Sequence, residues 1–261
     1  MAQFRDAPAA QPTLQTVERA LNFLECIVES PSPLTIREIA TKLELNITTC
    51  YHLFNTLQRR NYVERNADST LRVGFQAAFL YEGYKRGFSS HQAMSQLVDR
   101  ISRATSETAF LSVKVNDAVV LTALAEGPQA VRASGLYVGL SGLEHVRSSG
   151  RAVLAFADEE SRERILEKSL SATAPSQRPV LRAKLEQDLA LVRERGWAAD
   201  DQEYEIGICG ISAPVFTETG DILGAVGIWA PAARFYDLRE SLTAQVVAAA
   251  KDATTTLGSA H

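Results

Sequence analysis

The sequence has few cysteines and no pattern of metal-binding residues, which excludes several classes of protein. Its 261 residues include three cysteines, and no pair has the CxxC spacing of a zinc site or a redox centre. An odd, scattered set also argues against a disulfide framework. The four histidines add no metal-ligand pattern, so we expect neither a metal nor another cofactor. The residues concerned are Cys26, Cys50, Cys209, His52, His91, His145 and His261.

Long apolar runs are also missing, since none reaches the roughly 18 residues that a membrane span requires. Residues 1–12 lack the basic patch and apolar run of a secretory signal, and we interpret them as a disordered arm. We therefore expect a cytoplasmic protein with no membrane partner. The net charge is −4, with ten Lys/Arg against nine Asp/Glu in residues 1–90 and seventeen against twenty-two in residues 91–261. This distribution is compatible with nucleic acid contact through the N-terminal part, but it does not establish such contact.

Residues 13–74 carry the pattern of a winged helix-turn-helix. Apolar residues recur at helical spacing over residues 16–29, and a Ser-Pro-Ser-Pro segment ends that helix. A capping box that starts at Thr35 predicts a second short helix, and Asn46 is a good N-cap for a third. Alternating residues over 61–73 predict a β-hairpin, which corresponds to the wing. Two short helices joined by a tight turn behind a leading helix are typical of DNA-binding domains.

The exposed side of the third helix and the nearby arginines are the candidate DNA contacts. Threonine can offer a methyl group to thymine, asparagine can pair with adenine, and arginines at the helix end and on the wing suit phosphates. For any one residue an ordinary solvated side chain is an equally good interpretation, whereas the whole set favours DNA binding. The predicted DNA-binding residues are Thr35, Asn46, Ile47, Thr48, Thr49, Tyr51, His52, Asn55, Arg59, Arg60, Arg65 and Arg72.

Three segments resemble the IclR family of bacterial regulators. Residues 32–65, from SPLTIREIA to NYVER, look like the winged helix of that family. RGWAADDQEYEIGICGISAPVF at 195–216 looks like its C-terminal signature, and SSGRAVLAF at 148–156 is also similar. The resemblance implies an α+β protein whose N-terminal winged helix-turn-helix is followed by a linker helix at 75–90 and a GAF-like, profilin-like α/β effector-binding domain at 91–258. It also implies homodimers, paired into dimers of dimers, that bind double-stranded operator DNA and respond to a small organic acid.

Two positions of the third helix depart from the family pattern. The family usually carries Lys or Arg near the start of this helix and Arg after its first turn, whereas Ile47 and His52 stand in those places here. We therefore expect fewer phosphate and guanine contacts from this helix and a larger contribution from the wing.

Ser148, Ser149 and Gly150 form the candidate carboxylate cradle of the effector domain. They lie at a predicted helix start, where free backbone amides, hydroxyls and the helix dipole favour an anion. Serines at a helix start more commonly serve only as N-caps. The resemblance implies that the same pocket is lined by Asp200, Ile208, Gly210, Gly227 and Trp229. Asp200 is then expected to accept a hydrogen bond from a ligand hydroxyl or amide. In the alternative interpretation it is an acidic loop residue that faces solvent.

The effector class is predicted from Gly210, Gly227 and Trp229. Some relatives that bind very small keto acids have Cys at the place of Gly210 and Ser at the places of Gly227 and Trp229. The two glycines are expected to open volume, and the indole to favour a flat, apolar ligand. In the alternative interpretation Trp229 is a core residue and the glycines serve tight strand packing. The resulting hypothesis is a repressor of a catabolic operon that responds to an aromatic acid or a close derivative.

Two other functions stay open at this point. An enzyme would use His145, Asp200, Glu203 and Cys209 as acid-base or nucleophilic groups, but no elbow motif, phosphate loop or metal spacing accompanies them. We therefore expect no catalytic residue. A ligand-independent DNA-binding protein would need no pocket, and the glycines and helix-start serines favour a pocket.

Overall fold

The structure is a computed structural model that describes residues 13–87 and 89–258. It divides into two compact units, Met1–Gly87 and Phe88–His261. The predicted arm at residues 1–12 lies outside the described residues. Among the described residues, no helix is both long enough and apolar enough to cross a membrane.

The first unit combines four helices with a three-stranded antiparallel sheet in the part of the chain that is described. Its elements are α1 (Gln15–Glu29), β1 (Leu34–Thr35), α2 (Ile36–Lys42), α3 (Ile47–Arg59), β2 (Val63–Arg65), β3 (Thr70–Val73) and α4 (Gln76–Gly87). The strand order is β1-β3-β2, so β2 and β3 form the predicted wing. The short strand β1 was not predicted, and it pairs with the free edge of β3.

Local capping and one apolar core position the helices of this unit. Phe23, Ile39 and Cys50 are fully buried where α1, α2 and α3 meet. Thr35 and Glu38 complete the capping box at the start of α2. The side chain of Asn46 accepts a hydrogen bond of 2.8 Å from the backbone amide of Thr48 at the start of α3. Both predicted helix starts are therefore confirmed by the structure.

The second unit is a five-stranded antiparallel sheet with helices on both faces. Its elements are α5 (Ser89–Thr105), β4 (Thr108–Val115), β5 (Ala118–Ala125), α6 (Ser148–Phe156), α7 (Glu159–Ser169), α8 (Arg178–Arg195), β6 (Ala198–Asp201), β7 (Ile208–Phe216), β8 (Ile222–Pro231) and α9 (Ala232–Leu257). The strand order is β5-β4-β8-β7-β6, and every neighbouring pair is antiparallel. The predicted α+β class is confirmed.

Alternating residues of β7 separate the two faces of the sheet. Cys209 and Ile211 pack into the core that contains α5 and α9. Ser212 lies on the other face, where its hydroxyl is 2.9 Å from the hydroxyl of Ser148 on α6. Gly210 shares that face because a side chain there would meet Ser148 first. The face that carries α6 also contains the candidate pocket.

Two elements of the second unit escaped the sequence analysis. Helix α7 has a mostly charged sequence with little apolar periodicity, and its clearest signal is the N-cap Asp158, which accepts a 2.8 Å bond from the amide of Ser161. Strand β6 is short and ends in two aspartates, which have low strand propensity. The last helix, α9, starts at Ala232, directly after β8.

Candidate functional site

One exposed stripe of α3 carries four of the predicted recognition residues. Thr48, His52, Asn55 and Arg59 follow one another at spacings of four, three and four residues, and all are exposed. The opposite side of the helix is buried, with Leu57 among the core residues. The stripe can therefore present hydroxyl, imidazole, amide and guanidinium groups to a DNA groove.

The other predicted residues near this helix differ in how available their side chains are for contact with DNA. Ile47 and Tyr51 lie beside the stripe with exposed fractions of 40% and 43%. Thr49 is half-buried. The polar side chains of Thr35 and Asn46 are engaged in capping α2 and α3. These two residues stabilise the helices, which leaves them less available to DNA.

The arginines around the wing also differ in their partners. Arg65 lies over the ring of Phe54, with 4.6 Å between the guanidinium carbon and the ring centroid. Arg72 pairs with Glu64 at 2.6 Å, which offsets its charge. Arg60 is exposed and forms no ion pair with any residue that the structure describes. Its charge is therefore more available to a phosphate than that of Arg72.

A small buried cavity lies between the start of α6 and the sheet. Its volume is about 20 Å³, which is room for about one water molecule. Its lining includes Ser148, Ser149, Asp200 and Trp229, which are four of the predicted effector residues. The remaining lining residues are Phe110, Leu121, Leu136, Arg147 and Tyr204.

The serines lie where an anion would be stabilised. Helix α6 begins at Ser148, and no described side chain caps it, so its first amides are available to a ligand. The hydroxyl of Ser148 already pairs with the hydroxyl of Ser212, whereas Ser149 is buried at 3% exposure beside the cavity.

Asp200 is a buried carboxyl group at the same cavity, with 2% of its surface exposed. One oxygen, Oδ1, accepts bonds of 2.8 Å and 3.1 Å from the backbone amides of Glu203 and Tyr204. Burial raises the pKa of Asp200 to about 6, and the two amide bonds limit the rise. The group is therefore mostly ionised at neutral pH and, in that form, can accept a bond from a ligand.

Aromatic rings form the apolar wall of the cavity. Trp229 is 4% exposed and Phe110 is 5% exposed. The rings of Trp229 and Tyr204 are tilted by 57° with centroids 6.1 Å apart. Such a wall favours contact with a flat ligand.

Two of the predicted glycines serve close packing instead of lining the cavity. A Cβ atom on Gly150 would lie 2.2 Å from the carbonyl oxygen of Glu144. A Cβ atom on Gly227 would lie 2.3 Å from the hydroxyl of Ser212 and 2.7 Å from the ring of Phe110. The expectation that Gly227 opens volume is therefore wrong, because neighbouring atoms already occupy that space.

Gly210 and Ile208 lie beside residues that line the cavity, but neither is itself a lining residue. A Cβ atom on Gly210 would lie 2.9 Å from the hydroxyl of Ser148 and 3.4 Å from the indole of Trp229, so this glycine borders the cavity lining. Ile208 packs against the apolar cluster that contains Trp229, and it is not among the lining residues.

The structure does not bring the four residues of the enzyme alternative into one site. His145 and Glu203 line a second cavity, whereas Asp200 lines the cavity described above. Cys209 lies on the opposite face of the sheet from Asp200, and its thiol donates to Asp201 at 3.3 Å. Burial raises the pKa of this thiol to about 11, so it is protonated at neutral pH. The imidazole of His145 is 2.7 Å from the hydroxyl of Ser169 and is absent from the cavity lining.

Family profiles match both units of the chain. The profile described as the IclR helix-turn-helix domain matches residues 16–67. The profile described as the C-terminal domain of the bacterial transcriptional regulator IclR matches residues 89–255. The chain belongs to the IclR family of bacterial transcriptional regulators.

Individual IclR relatives agree with this assignment. The regulator BhcR of Paracoccus denitrificans is 29% identical over 235 residues, which cover 90% of this chain and 84% of the relative. The repressor IclR of Escherichia coli is 25% identical over 250 residues, covering 94% and 90%. A solved IclR regulator from Alicyclobacillus acidocaldarius has the same fold, with a TM-score of 0.77, 22% identity and coverage of 95% and 98%. An IclR homologue from Microbacterium hydrocarbonoxydans, solved with 4-hydroxybenzoate, has a TM-score of 0.70, 23% identity and coverage of 92% and 98%.

Five cavity residues were not found by sequence reasoning. Tyr204 lies within the C-terminal signature, and Arg147 directly precedes the predicted cradle, so their positions were the available signals. Phe110, Leu121 and Leu136 come from other segments, and only the folded sheet brings them to the cavity.

Proposed function

We propose that this IclR-family regulator is a repressor of genes for the catabolism of aromatic compounds. In this proposal it acts in the cytoplasm, and a small aromatic carboxylate or a close derivative binds in the cavity of the second unit. The effector then weakens binding to operator DNA. The observation that carries the proposal is the composition of the cavity, which combines a helix start and a buried acid with an aromatic wall.

Each part of the proposed ligand has a matching group in the cavity. The amides at the start of α6 and the side chain of Ser149 suit a carboxylate. Asp200 suits a hydroxyl or amide hydrogen, and Trp229 and Phe110 suit a flat ring. The complex of the Microbacterium hydrocarbonoxydans homologue with 4-hydroxybenzoate supports the same ligand class.

The cavity must open to accept such a ligand, because about 20 Å³ holds roughly one water molecule. Leu136 and Tyr204 come from irregular segments, whereas Trp229 belongs to a central strand. We expect the two irregular segments to move, since strand residues are held by hydrogen bonds on both sides. The ligand therefore stabilises an open form over the closed one.

Operator binding is proposed to involve a homodimer, and pairs of dimers. The N-cap Leu14 and three residues of α1, Val17, Leu21 and Val28, form one apolar stripe, each with at least half of its surface exposed. An exposed stripe of this kind supports pairing with a second copy. A dimer would place two α3 helices on half-sites one helical turn, or a multiple of a turn, apart.

A thermal-shift screen of the purified protein tests the effector class. The panel should contain aliphatic keto acids on one side and hydroxylated benzoates with their amides and hydrazides on the other. A ligand at 100 times its dissociation constant adds about 2.7 kcal/mol of stability, which gives a measurable rise in melting temperature. We expect rises with the benzoates. Rises with keto acids alone would contradict the aromatic assignment.

A further inference from the structure

Arg147 places a buried cation at the proposed effector cavity. It is the N-cap residue of α6, and it lines the cavity together with Ser149 and Asp200. Only 5% of its surface is exposed. An arginine is rarely buried to this extent without a partner for its charge.

The hydrogen bonds of Arg147 use only part of its guanidinium group. Nε donates to the carbonyl oxygen of Gly142 at 2.7 Å, and Nη2 donates to the carbonyl oxygen of Val119 at 2.9 Å. The side chain of Glu144 lies 3.6 Å from Nη2, and the same carboxylate oxygen accepts the amide of Gly142 at 2.8 Å. Nη1 forms no hydrogen bond with any residue that the structure describes. A guanidinium offers five donors, so several remain available.

Glu144 is the ion-pair partner of Arg147 in the described part of the chain, with 3.6 Å between its carboxylate and Nη2. Burial lowers its pKa from the ordinary value, and the nearby acidic groups, with Glu144 the largest, only partly oppose that effect. An anion that entered the cavity would therefore gain a favourable partner at this position.

Asp200 provides a complementary acceptor at the same cavity. Its Oδ1 atom holds the amides of Glu203 and Tyr204, whereas Oδ2 has no hydrogen-bond partner within residues 13–87 and 89–258. The cavity thus holds one buried donor group and one buried acceptor group, each with unused bonding capacity, beside the ring of Trp229.

We propose that Arg147 is the anion anchor of this cavity and that, together with Asp200, it selects an aromatic acid that also carries a hydroxyl or amino donor. This inference rests on the proposed effector function and names the residue that reads the ligand charge. A neutral ligand offers no charged acceptor to the free Nη1 donors of Arg147, which reduces its affinity relative to an anion. A ligand with a second carboxylate meets the ionised form of Asp200 and is repelled.

The test compares 4-hydroxybenzoate with 4-hydroxybenzamide by calorimetric titration of the full chain. The two probes have nearly the same shape and differ in the charge of one end. We expect the wild-type protein to prefer the acid by about tenfold or more, as for a charge-assisted hydrogen bond. Arg147→Gln should reduce this ratio to near one while the affinity for the amide is retained. Exposed Arg164 on α7 offers the control variant Arg164→Gln, which should keep the wild-type ratio.

Arg147→Lys provides a second variant in case Arg147→Gln does not fold. Lysine keeps the positive charge but lacks the planar guanidinium group with its paired donors. A preference for the acid should therefore remain, with reduced affinity. An unchanged acid-to-amide ratio in Arg147→Gln, or a wild-type protein that binds both probes equally, would overturn the anchor role of Arg147 and leave the effector site in place. Wild-type protein that binds neither these probes nor any other aromatic acid would overturn the proposed function itself.

Discussion

The two units of this regulator present their candidate functional residues in opposite ways. On α3 of the first unit, Thr48, His52, Asn55 and Arg59 are exposed along one stripe. In the second unit the effector candidates are buried around a cavity of about 20 Å³, and Asp200 is 2% exposed. An exposed stripe depends on one helix, whereas the buried site depends on packing between several elements. Substitutions should therefore have local effects in the first unit and larger structural effects in the second.

The largest expected effect is from Gly150→Ala at the start of α6. The new methyl group would lie 2.2 Å from the carbonyl oxygen of Glu144, and a backbone atom cannot move aside easily. We expect the free energy of unfolding of the second unit to fall by about 3 kcal/mol, measured by thermal or chemical denaturation.

The matched control for that substitution is Gly83→Ala on α4. Among the described residues, no atom lies within 4 Å of the position of its added Cβ. Alanine has the higher helix propensity, so stability should rise by up to about 1 kcal/mol. Equal losses in the free energy of unfolding for Gly83→Ala and Gly150→Ala would contradict the proposed difference between the two units.

Asn55→Ala should weaken operator binding without changing the fold. Asn55 is exposed on the stripe, and a bidentate contact with a base contributes about 1–3 kcal/mol, or about 5- to 150-fold in affinity. Fluorescence anisotropy with labelled operator DNA measures the loss. Thr56→Ala is the control, because the hydroxyl of Thr56 already bonds the carbonyl oxygen of His52 within the helix. If both variants bind like the wild type, the recognition stripe is misassigned.

Asp200→Asn should change how stability depends on pH. The pKa of Asp200 is raised to about 6, so the folded protein holds this proton more tightly than the unfolded chain does. Stability from this group is therefore present below about pH 4 and is lost as pH rises to about 6. The variant cannot ionise, so its stability relative to the wild type should increase by about 2 kcal/mol over that interval.

Asp201→Asn is the control for the pH effect, with the opposite sign. The hydroxyl of Tyr236 donates to Asp201 at 2.5 Å and lowers the pKa of that carboxyl group. The stabilisation from Asp201 is therefore present above its unfolded pKa and is lost as pH falls. Denaturation curves at several pH values should show opposite trends for the two variants, and parallel trends would contradict the burial of Asp200.

The smallest expected effect is from Glu64→Gln on the wing. Glu64 pairs with Arg72 at 2.6 Å, and its removal frees that arginine for a phosphate. Operator affinity should rise by about two- to threefold at low salt, with a steeper dependence on salt concentration. Glu29→Gln makes the same change of charge on α1 and should have less effect. A steeper salt dependence in Glu29→Gln than in Glu64→Gln would contradict a wing contact with DNA.

Sequence reasoning succeeded where the signal is local. The start of α3 at Asn46, the capping box at Thr35 and the buried side of the helix at Leu57 follow from neighbouring residues alone. The end of α8 at Gly196, which has a left-handed φ of +79°, is a signal of the same local kind. These features require no knowledge of the remaining fold.

The cavity could be predicted only in part, because it depends on which strands pair and in what register. Trp229 lies opposite Gly210 and Thr108 in the sheet, and no local pattern in the sequence encodes that register. A glycine in a sequence is also ambiguous, since a missing side chain can mean open space or close packing. At Gly227 the structure shows close packing, against the ring of Phe110.

The central claim is that a small aromatic acid in the second unit controls DNA binding by the first. The most direct test measures the affinity of the purified protein for DNA from just upstream of its own gene, with and without saturating 4-hydroxybenzoate. Saturation is established beforehand by thermal shift. The account predicts that operator affinity falls by about tenfold, within the usual range of allosteric coupling. An affinity that stays the same while the acid is bound would contradict it.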